Sequence, residues 1–130
     1  MTETFPQSDT MLALIARRFR MLSEPYRLRL LQLLESGEKT VTEMVNTLDG
    51  NQPNVSKHLQ LLHDSGLVSR RREGTSIYYG IADPMVLSLC EMVCRNTMER
   101  ARQELDELND AQVSSAQRSG KPKSRKVGRP

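Results

Sequence analysis

The sequence predicts a mainly α fold with a small β-hairpin wing, in which four helices are followed by two strands and a fifth, long helix. Apolar residues recur at helical spacing in four segments before residue 66. Two strand-like segments, 67–72 and 75–81, come next and are joined across Glu73-Gly74. Asp83-Pro84 then opens a helical stretch that reaches about Asn109. This order is typical of a winged helix-turn-helix.

The first two predicted helices differ in how far their apolar surface extends. Residues 9–22 place a single apolar stripe along one side, made of Met11, Leu12, Ile15, Phe19 and Leu22. Ser23-Glu24-Pro25 ends that helix and starts the next, because proline suits the first turn of a helix. Residues 25–36 are apolar over more than half the circumference. We therefore expect the second helix to be buried among the others.

The third and fourth helices have recognisable start signals. Thr40 can cap a short helix over residues 41–48, with Glu43 completing a capping box. Asp49-Gly50-Asn51 is a turn, and the fourth helix runs from about Gln52 to Ser65. Its inward stripe is formed by Val55, Leu59 and Leu62. Two helices joined by a short glycine-containing turn predict a helix-turn-helix, whose second helix enters a DNA major groove.

The fourth helix carries small polar side chains away from its apolar stripe. Because glutamine and asparagine can pair bidentately with adenine, Gln52, Asn54 and Ser56 are the candidate base-reading residues. Lys57 and Gln60 are better placed for phosphate or sugar, where contacts set register without reading sequence. The alternative is an ordinary helical hairpin with a solvated face, or a winged module that binds protein. His58 and His63 are interpreted as packing or capping residues.

A basic hairpin directly after that helix favours DNA over the alternatives. Arg70, Arg71 and Arg72 lie on or beside it, and strand alternation sends Arg70 and Arg72 to one face and Arg71 to the other. Such a hairpin can lie along the phosphate backbone or probe a narrow minor groove. The alternative for the arginines is a solubilising turn.

The charge of the chain is unevenly distributed. Residues 1–110 hold 13 basic and 16 acidic residues, whereas residues 111–130 hold six basic residues and no acid. The basic character of the chain therefore comes from its end, and any DNA contact in the body must be a local patch. We expect a loose leader at residues 1–8, a DNA-binding and dimerisation domain at 9–109 and a disordered basic tail at 110–130. The tail is interpreted as a nonspecific phosphate attractant or as plain solvated chain.

Several function classes are disfavoured by the sequence. There is no signal segment and no apolar run of membrane-spanning length, so we expect a cytoplasmic protein. We find no glycine-rich phosphate loop, no Cys–His pair on a plausible scaffold and no metal-ligand cluster, so we do not expect an enzyme.

The predicted last helix is apolar on two sides of its first half. One stripe has a near-heptad spacing and consists of Leu87, Cys90, Cys94, Met98, Ala101, Leu105 and Leu108. Another, on the opposite side, consists of Met85, Leu89, Met92 and Val93. A helix that is apolar on two sides needs two surfaces to pack against. One is its own domain, and we expect the other to be a second copy of the chain.

Cys90 and Cys94 are one helical turn apart within this stripe, and they are the candidate sensor or metal-binding residues. In a symmetric dimer, four thiols could approach one another. Thiolates favour soft ions such as Cu(I), Cd or Zn, and arsenite is likewise thiophilic. Oxidation could instead modify the thiols. The equally strong alternative is structural, since buried cysteine is a common small hydrophobe and no cofactor is certain.

Taken together, four segments resemble the ArsR/SmtB winged-helix repressors over roughly residues 10–108. They are Ser23 to Leu31, Gln52 to Leu59, Ser65 to Val68 and Gly74 to Tyr79. The resemblance implies a homodimer that binds a near-palindromic operator in double-stranded DNA. It also implies repression until an inducer, often a metal ion or a thiol-reactive species, releases the protein.

Two sensor sites of that family are not matched by this sequence. Some members place two cysteines in the third helix, where this chain has none between Thr42 and Leu48. Others bind zinc through an acid and histidines of the last helix. The corresponding positions here are Asp83, Met85, Asn96 and Glu99, which include no histidine. The chain therefore resembles the family without resembling its commonest metal sensors.

Overall fold

The computed structural model describes the backbone of residues 8–128 and the side chains of residues 8–116. Its elements, in chain order, are α1 (Asp9–Met21), α2 (Pro25–Leu34), β1 (Lys39–Thr40), α3 (Val41–Leu48), α4 (Gln52–Asp64), β2 (Val68–Glu73), β3 (Ser76–Ile81) and α5 (Met85–Gly128). The predicted winged helix-turn-helix is confirmed. The leader predicted for residues 1–8 lies, apart from Ser8, outside the described residues.

Side-chain caps explain where the helices begin. The Glu24 carboxylate accepts a hydrogen bond from the Tyr26 backbone N–H at 2.8 Å, at the start of α2. The predicted capping box of α3 is confirmed by two reciprocal bonds. The Glu43 N–H donates to Thr40 Oγ1 at 3.2 Å, and the Thr40 N–H donates to Glu43 Oε1 at 2.8 Å. Both bonds satisfy backbone donors that the first turn of a helix leaves without partners.

The sheet has three antiparallel strands in the order β1-β3-β2. The predicted hairpin is β2–β3, which we call the wing, and it pairs from Val68 opposite Ile81 to Glu73 opposite Ser76. Gly74 lies in its turn with a φ of +63°, a conformation that favours glycine. The sequence did not predict β1. A strand of two residues is too short to show alternation, and it forms only by pairing Lys39 with Tyr79 on β3.

Residues 8–88 form one compact unit with its own core. Its buried apolar residues come from α2, α3, α4, the sheet, the segment just before β2 and the first turn of α5. They are Leu30, Leu31, Leu34, Met44, Val55, Leu59, Leu62, Leu67, Val68, Tyr79 and Val86. The burial predicted for α2 and for the inward stripe of α4 is confirmed. In contrast, α1 contributes no fully buried residue, and Phe19 is 53% exposed.

Residues from Leu89 onwards form a second unit, which is the continuation of α5. The end predicted for this helix, near Asn109, is wrong, because the helical backbone continues to Gly128. Residues 110–116 contain alanine and glutamine and lack glycine and proline, so nothing in them stops a helix. The helical backbone of residues 110–128 also differs from the predicted disorder there. The division into leader, domain and tail stays a prediction. Among the described residues, no helix is both long and apolar enough to span a membrane.

Candidate nucleic-acid interface

The turn between α3 and α4 is built by local contacts. Asp49 ends α3 in the left-handed conformation, with a φ of +56°. The following Gly50 lies against the Tyr26 hydroxyl so closely that a Cβ at this position would collide with it. Asn51 then caps α4, because its side-chain oxygen accepts a hydrogen bond from the Asn54 N–H at 2.9 Å. These contacts fix the direction in which α4 leaves the turn.

The orientation of α4 is set by its buried side. Val55, Leu59 and Leu62 have no exposed surface, so the opposite side must face solvent. The five predicted DNA-binding residues of the helix keep exposed surface: Gln52, Lys57 and Gln60 are exposed, and Asn54 and Ser56 are half-buried. The Gln60 amide also donates to Asp64 Oδ1 at 2.9 Å, one turn further on. The polar edge is therefore at least partly open to solvent from Gln52 to Gln60, and Gln60 is already hydrogen-bonded to Asp64.

A buried arginine ties α4 to α2 and to the end of α1. Arg27 is only 9% exposed, and its guanidinium donates to the carbonyl oxygens of Met21 at 2.8 Å and Arg20 at 3.2 Å. Arg27 Nη1 lies 3.3 Å from His58 Nδ1 on α4. Because an arginine nitrogen can only donate, His58 must accept through Nδ1 and carry its proton on Nε2. One side chain therefore connects three helices.

His58 is held in its neutral form by its surroundings. Burial lowers the pKa of His58 below the usual value, and the positive charge of Arg27 lowers that pKa further. The Tyr26 ring packs beside the imidazole, with 5.2 Å between the ring centroids. His58 is buried and hydrogen-bonded to Arg27, so it packs inside the unit, as predicted.

The three wing arginines have different environments. Arg70 and Arg72 are exposed and form no ion pair within the part of the chain that the structure describes. Arg71 instead donates to Glu38 Oε1 at 2.7 Å and to Glu73 Oε1 at 2.8 Å. The wing therefore presents two available cations and one that is already paired.

In α5 the two cysteines also differ. Burial raises the pKa of the half-buried Cys90 thiol, whereas Cys94 is exposed and its Sγ lies 3.8 Å from Met98 Sδ. Among the described residues there is no cluster of three or more histidine, cysteine or acidic residues that could hold a metal ion. Of the predicted dimer stripe, Leu87 is half-buried, and the members further along are exposed: Met98, Ala101, Leu105 and Leu108.

Two interactions were missed by sequence reasoning. Arg27 stands in a largely apolar helix whose one other charged residue is Arg29, and a charge in such a helix could have been recognised as a candidate for burial beside a specific partner. Glu38 is different, because it contacts Arg71 from 33 residues away and no local pattern links them. Such a pair becomes visible only once β1 brings the chain beside β3.

Residues 22–71 match a family described as a helix-turn-helix domain. A probable mercury resistance operon repressor from Streptomyces lividans is 47% identical over 74 residues, which are 57% of this chain and 59% of that repressor. The HTH-type transcriptional regulator MJ1325 of Methanocaldococcus jannaschii is 37% identical over 79 residues, 60% of this chain and 89% of that protein. The solution structure of the homodimeric winged helix-turn-helix DNA-binding domain of Mb0332 from Mycobacterium bovis has 34% identity and a TM-score of 0.66, covering 76% of this chain and 92% of that one.

Proposed function

This chain belongs to the ArsR family of winged helix-turn-helix transcriptional regulators, and on that premise we propose that it is a dimeric DNA-binding repressor released by an inducer. The observation that carries the proposal is the solvent-facing polar edge of α4, followed at once by a wing with two unpaired arginines. A regulator of this kind needs no catalytic group, and we infer that the chain is not an enzyme.

On this proposal, α4 reads bases and the wing holds the backbone. Gln52, Asn54 and Ser56 contact base edges in the major groove, since they lie toward the N-terminal end of the recognition helix. Lys57 and Gln60 contact phosphate or sugar. Arg70 and Arg72 extend from the wing to the phosphate backbone, which makes binding depend strongly on salt.

A second copy completes the DNA-binding unit. The described apolar residues of α5 beyond Cys90 are exposed, among them Leu105 at 58% and Leu108 at 63%. Exposed apolar surface of this extent marks an interaction surface. The related Mycobacterium bovis domain is a homodimer. Two copies related by twofold symmetry would present two recognition helices to half-sites about 34–36 Å apart.

The test is titration of the purified chain with duplex DNA selected by it from a random-sequence pool, over a range of salt concentrations. We expect binding to one preferred, near-palindromic duplex, with an affinity that falls steeply as salt rises. Equal affinity for the selected duplex, for scrambled duplexes and for heparin would contradict a sequence-specific regulator. It would favour a winged module with another partner.

A thiol-based inducer is supported by Cys90, Cys94 and their position in the proposed dimer stripe. The matched relative from Streptomyces lividans is a probable mercury resistance operon repressor, and mercury is a thiophilic metal. Metal or metalloid bound across two copies, or oxidation of the thiols, would favour one dimer geometry over another. Release from DNA is then a difference in operator affinity between two geometries.

The experiment compares the wild type with the Cys90→Ser/Cys94→Ser variant on the selected duplex, with arsenite, Cu(I), Cd, Zn and a persulfide. We expect at least one agent to release the wild type and to leave the variant bound. If every agent released both proteins equally, the cysteines would be structural and the inducer would act elsewhere.

A further inference from the structure

The outer face of the sheet carries an ion-pair arrangement that the proposed DNA contacts do not use. Arg71 lies on β2 directly opposite Tyr78 on β3, and its guanidinium carbon is 4.8 Å from the centre of the Tyr78 ring. Beyond that ring lies Glu38, immediately before β1. The Arg71 side chain therefore crosses from the edge strand β2 over the central strand β3 and reaches the segment just before β1.

Each of the three guanidinium nitrogens of Arg71 is hydrogen-bonded to a carboxylate. Its Nε lies 3.2 Å and 3.3 Å from the two Glu38 carboxylate oxygens, and its Nη2 lies 2.7 Å from Glu38 Oε1. Its Nη1 donates to Glu73 Oε1 at 2.8 Å. These bonds lower the pKa of Glu38 and raise the pKa of Arg71, so both groups remain charged at neutral pH. Two negative charges surround this one positive charge.

The central strand leaves room for this arrangement at Gly80. A Cβ added at Gly80 would lie 3.0 Å from Glu38 Cγ and 3.3 Å from Ser69 Oγ, which is tighter than ordinary van der Waals contact. A glycine at this position therefore allows the Glu38 side chain to lie across β3 toward Arg71. The close approach of Glu38 to Gly80 is a separate observation from the ion pairs, and it also places Glu38 beside Arg71.

We infer that Arg71 is a positioning residue, which holds the wing to the segment before β1 through its contact with Glu38. On this inference, only Arg70 and Arg72 contact phosphate. The inference rests on the proposed DNA-binding function and divides the predicted arginine triplet into two roles. Arg71 is opposite Tyr78 on the outer face, whereas Arg70 is opposite the buried Tyr79 on the other face. A planar guanidinium with several fixed donors suits a bridge of this kind better than an ammonium does.

The experiment measures the affinity for the selected duplex against salt for single substitutions of the three arginines to glutamine. Each phosphate contact contributes about 0.9 to the slope of log affinity against log salt, so losing one contact from each protomer changes the slope by about 1.8. We expect that change for Arg70→Gln and for Arg72→Gln. For Arg71→Gln we expect an unchanged slope and an affinity lowered on the order of fivefold, as suits exposed ion pairs.

Two further variants test whether Arg71 acts by positioning the wing or through its charge alone. Arg71→Lys keeps the charge and loses the planar fork, and we expect it to behave like Arg71→Gln. Glu38→Gln weakens the same contact from its other end, and we expect a similar loss of affinity that is not additive with Arg71→Gln. Circular dichroism of every variant, compared with the wild type, establishes that the domain is folded.

The outcomes distinguish this inference from the proposed function. If Arg71→Gln flattens the slope as much as Arg70→Gln does and Arg71→Lys restores it, Arg71 is a phosphate contact and the inference is wrong. An affinity that rises in Glu38→Gln, with a steeper slope, would also overturn it, because Glu38 would then be competing with phosphate. If the wild type selects no duplex, the failure belongs to the proposed function.

Discussion

Residues 8–88 and the continuation of α5 from Leu89 are stabilised in different ways. The first unit has its own core, with Leu30, Leu59 and Leu62 completely buried. In the described part of α5 beyond Cys90 every side chain is exposed, including Met92 at 58% and Met98 at 67%. The first unit is therefore stabilised by its own internal packing. The long helix carries apolar surface that the described residues of the chain leave exposed.

The largest expected effect is loss of a core side chain in the first unit. Leu59→Ala should lower the free energy of unfolding by about 2–5 kcal/mol, because it removes buried methyl groups and leaves a cavity. Leu105→Ala makes the same chemical change on exposed surface and should leave that free energy nearly unchanged at protein concentrations where the chain is monomeric. Urea unfolding followed by circular dichroism measures both. Equal losses of unfolding free energy in the two variants would contradict the difference described between the two regions.

The next effect concerns what each region contributes to DNA binding. Gln52→Ala or Asn54→Ala should reduce discrimination at one base pair by about 1–3 kcal/mol, because a bidentate contact to a base edge is lost. Leu108→Ala should weaken binding to all duplexes by the same factor, since it acts on pairing of the two copies. Titration against the selected duplex and its single-base variants measures both quantities. A change of base preference in Leu108→Ala, or none in Gln52→Ala and Asn54→Ala, would contradict this division.

The smallest expected effect is a pH dependence confined to the first unit. The pKa of His58 is lowered in the folded state, so the unfolded state takes up the proton more readily. The free energy of unfolding should therefore decrease as the pH falls below about 6.5. His58→Asn keeps a hydrogen-bond acceptor for Arg27 but cannot take up a proton in this pH range. It should therefore remove the contribution of His58 to the pH dependence of the unfolding free energy. His63→Asn, a matched control on the same helix, should retain it when urea unfolding is repeated between pH 7.5 and 5.

The elements that the sequence predicts correctly are those whose determinants are local. Helix α3 begins and ends where the capping box and the turn place it, and the inward stripe of α4 follows directly from residue spacing. The existence of the wing also follows from two adjacent strand-like segments and a turn glycine, although its turn is Gly74-Thr75, one residue later than the predicted Glu73-Gly74, because Glu73 pairs with Ser76. In each case the deciding contacts join residues close in the chain, so the pattern is visible in the sequence.

The features that were missed depend on contacts between distant residues. Strand β1 exists only because its two residues pair with β3, and its formation brings Glu38 toward Arg71. The link from Arg27 to His58 spans 31 residues and needs α2 and α4 to be packed together. The predicted DNA-binding residues stay predictions, because protein contacts show which side chains are available and only a complex would show which of them contact DNA.

We expect α5 to join two copies so that two recognition helices can bind one operator. The direct measurement is the molar mass of a Leu105→Glu/Leu108→Glu variant by light scattering at micromolar concentration, together with its affinity for the selected duplex. If α5 joins the copies, the variant will be a folded monomer with strongly reduced affinity, and the wild type will be a dimer. A variant that stays dimeric and binds with full affinity, or a wild type that is itself monomeric, would contradict it.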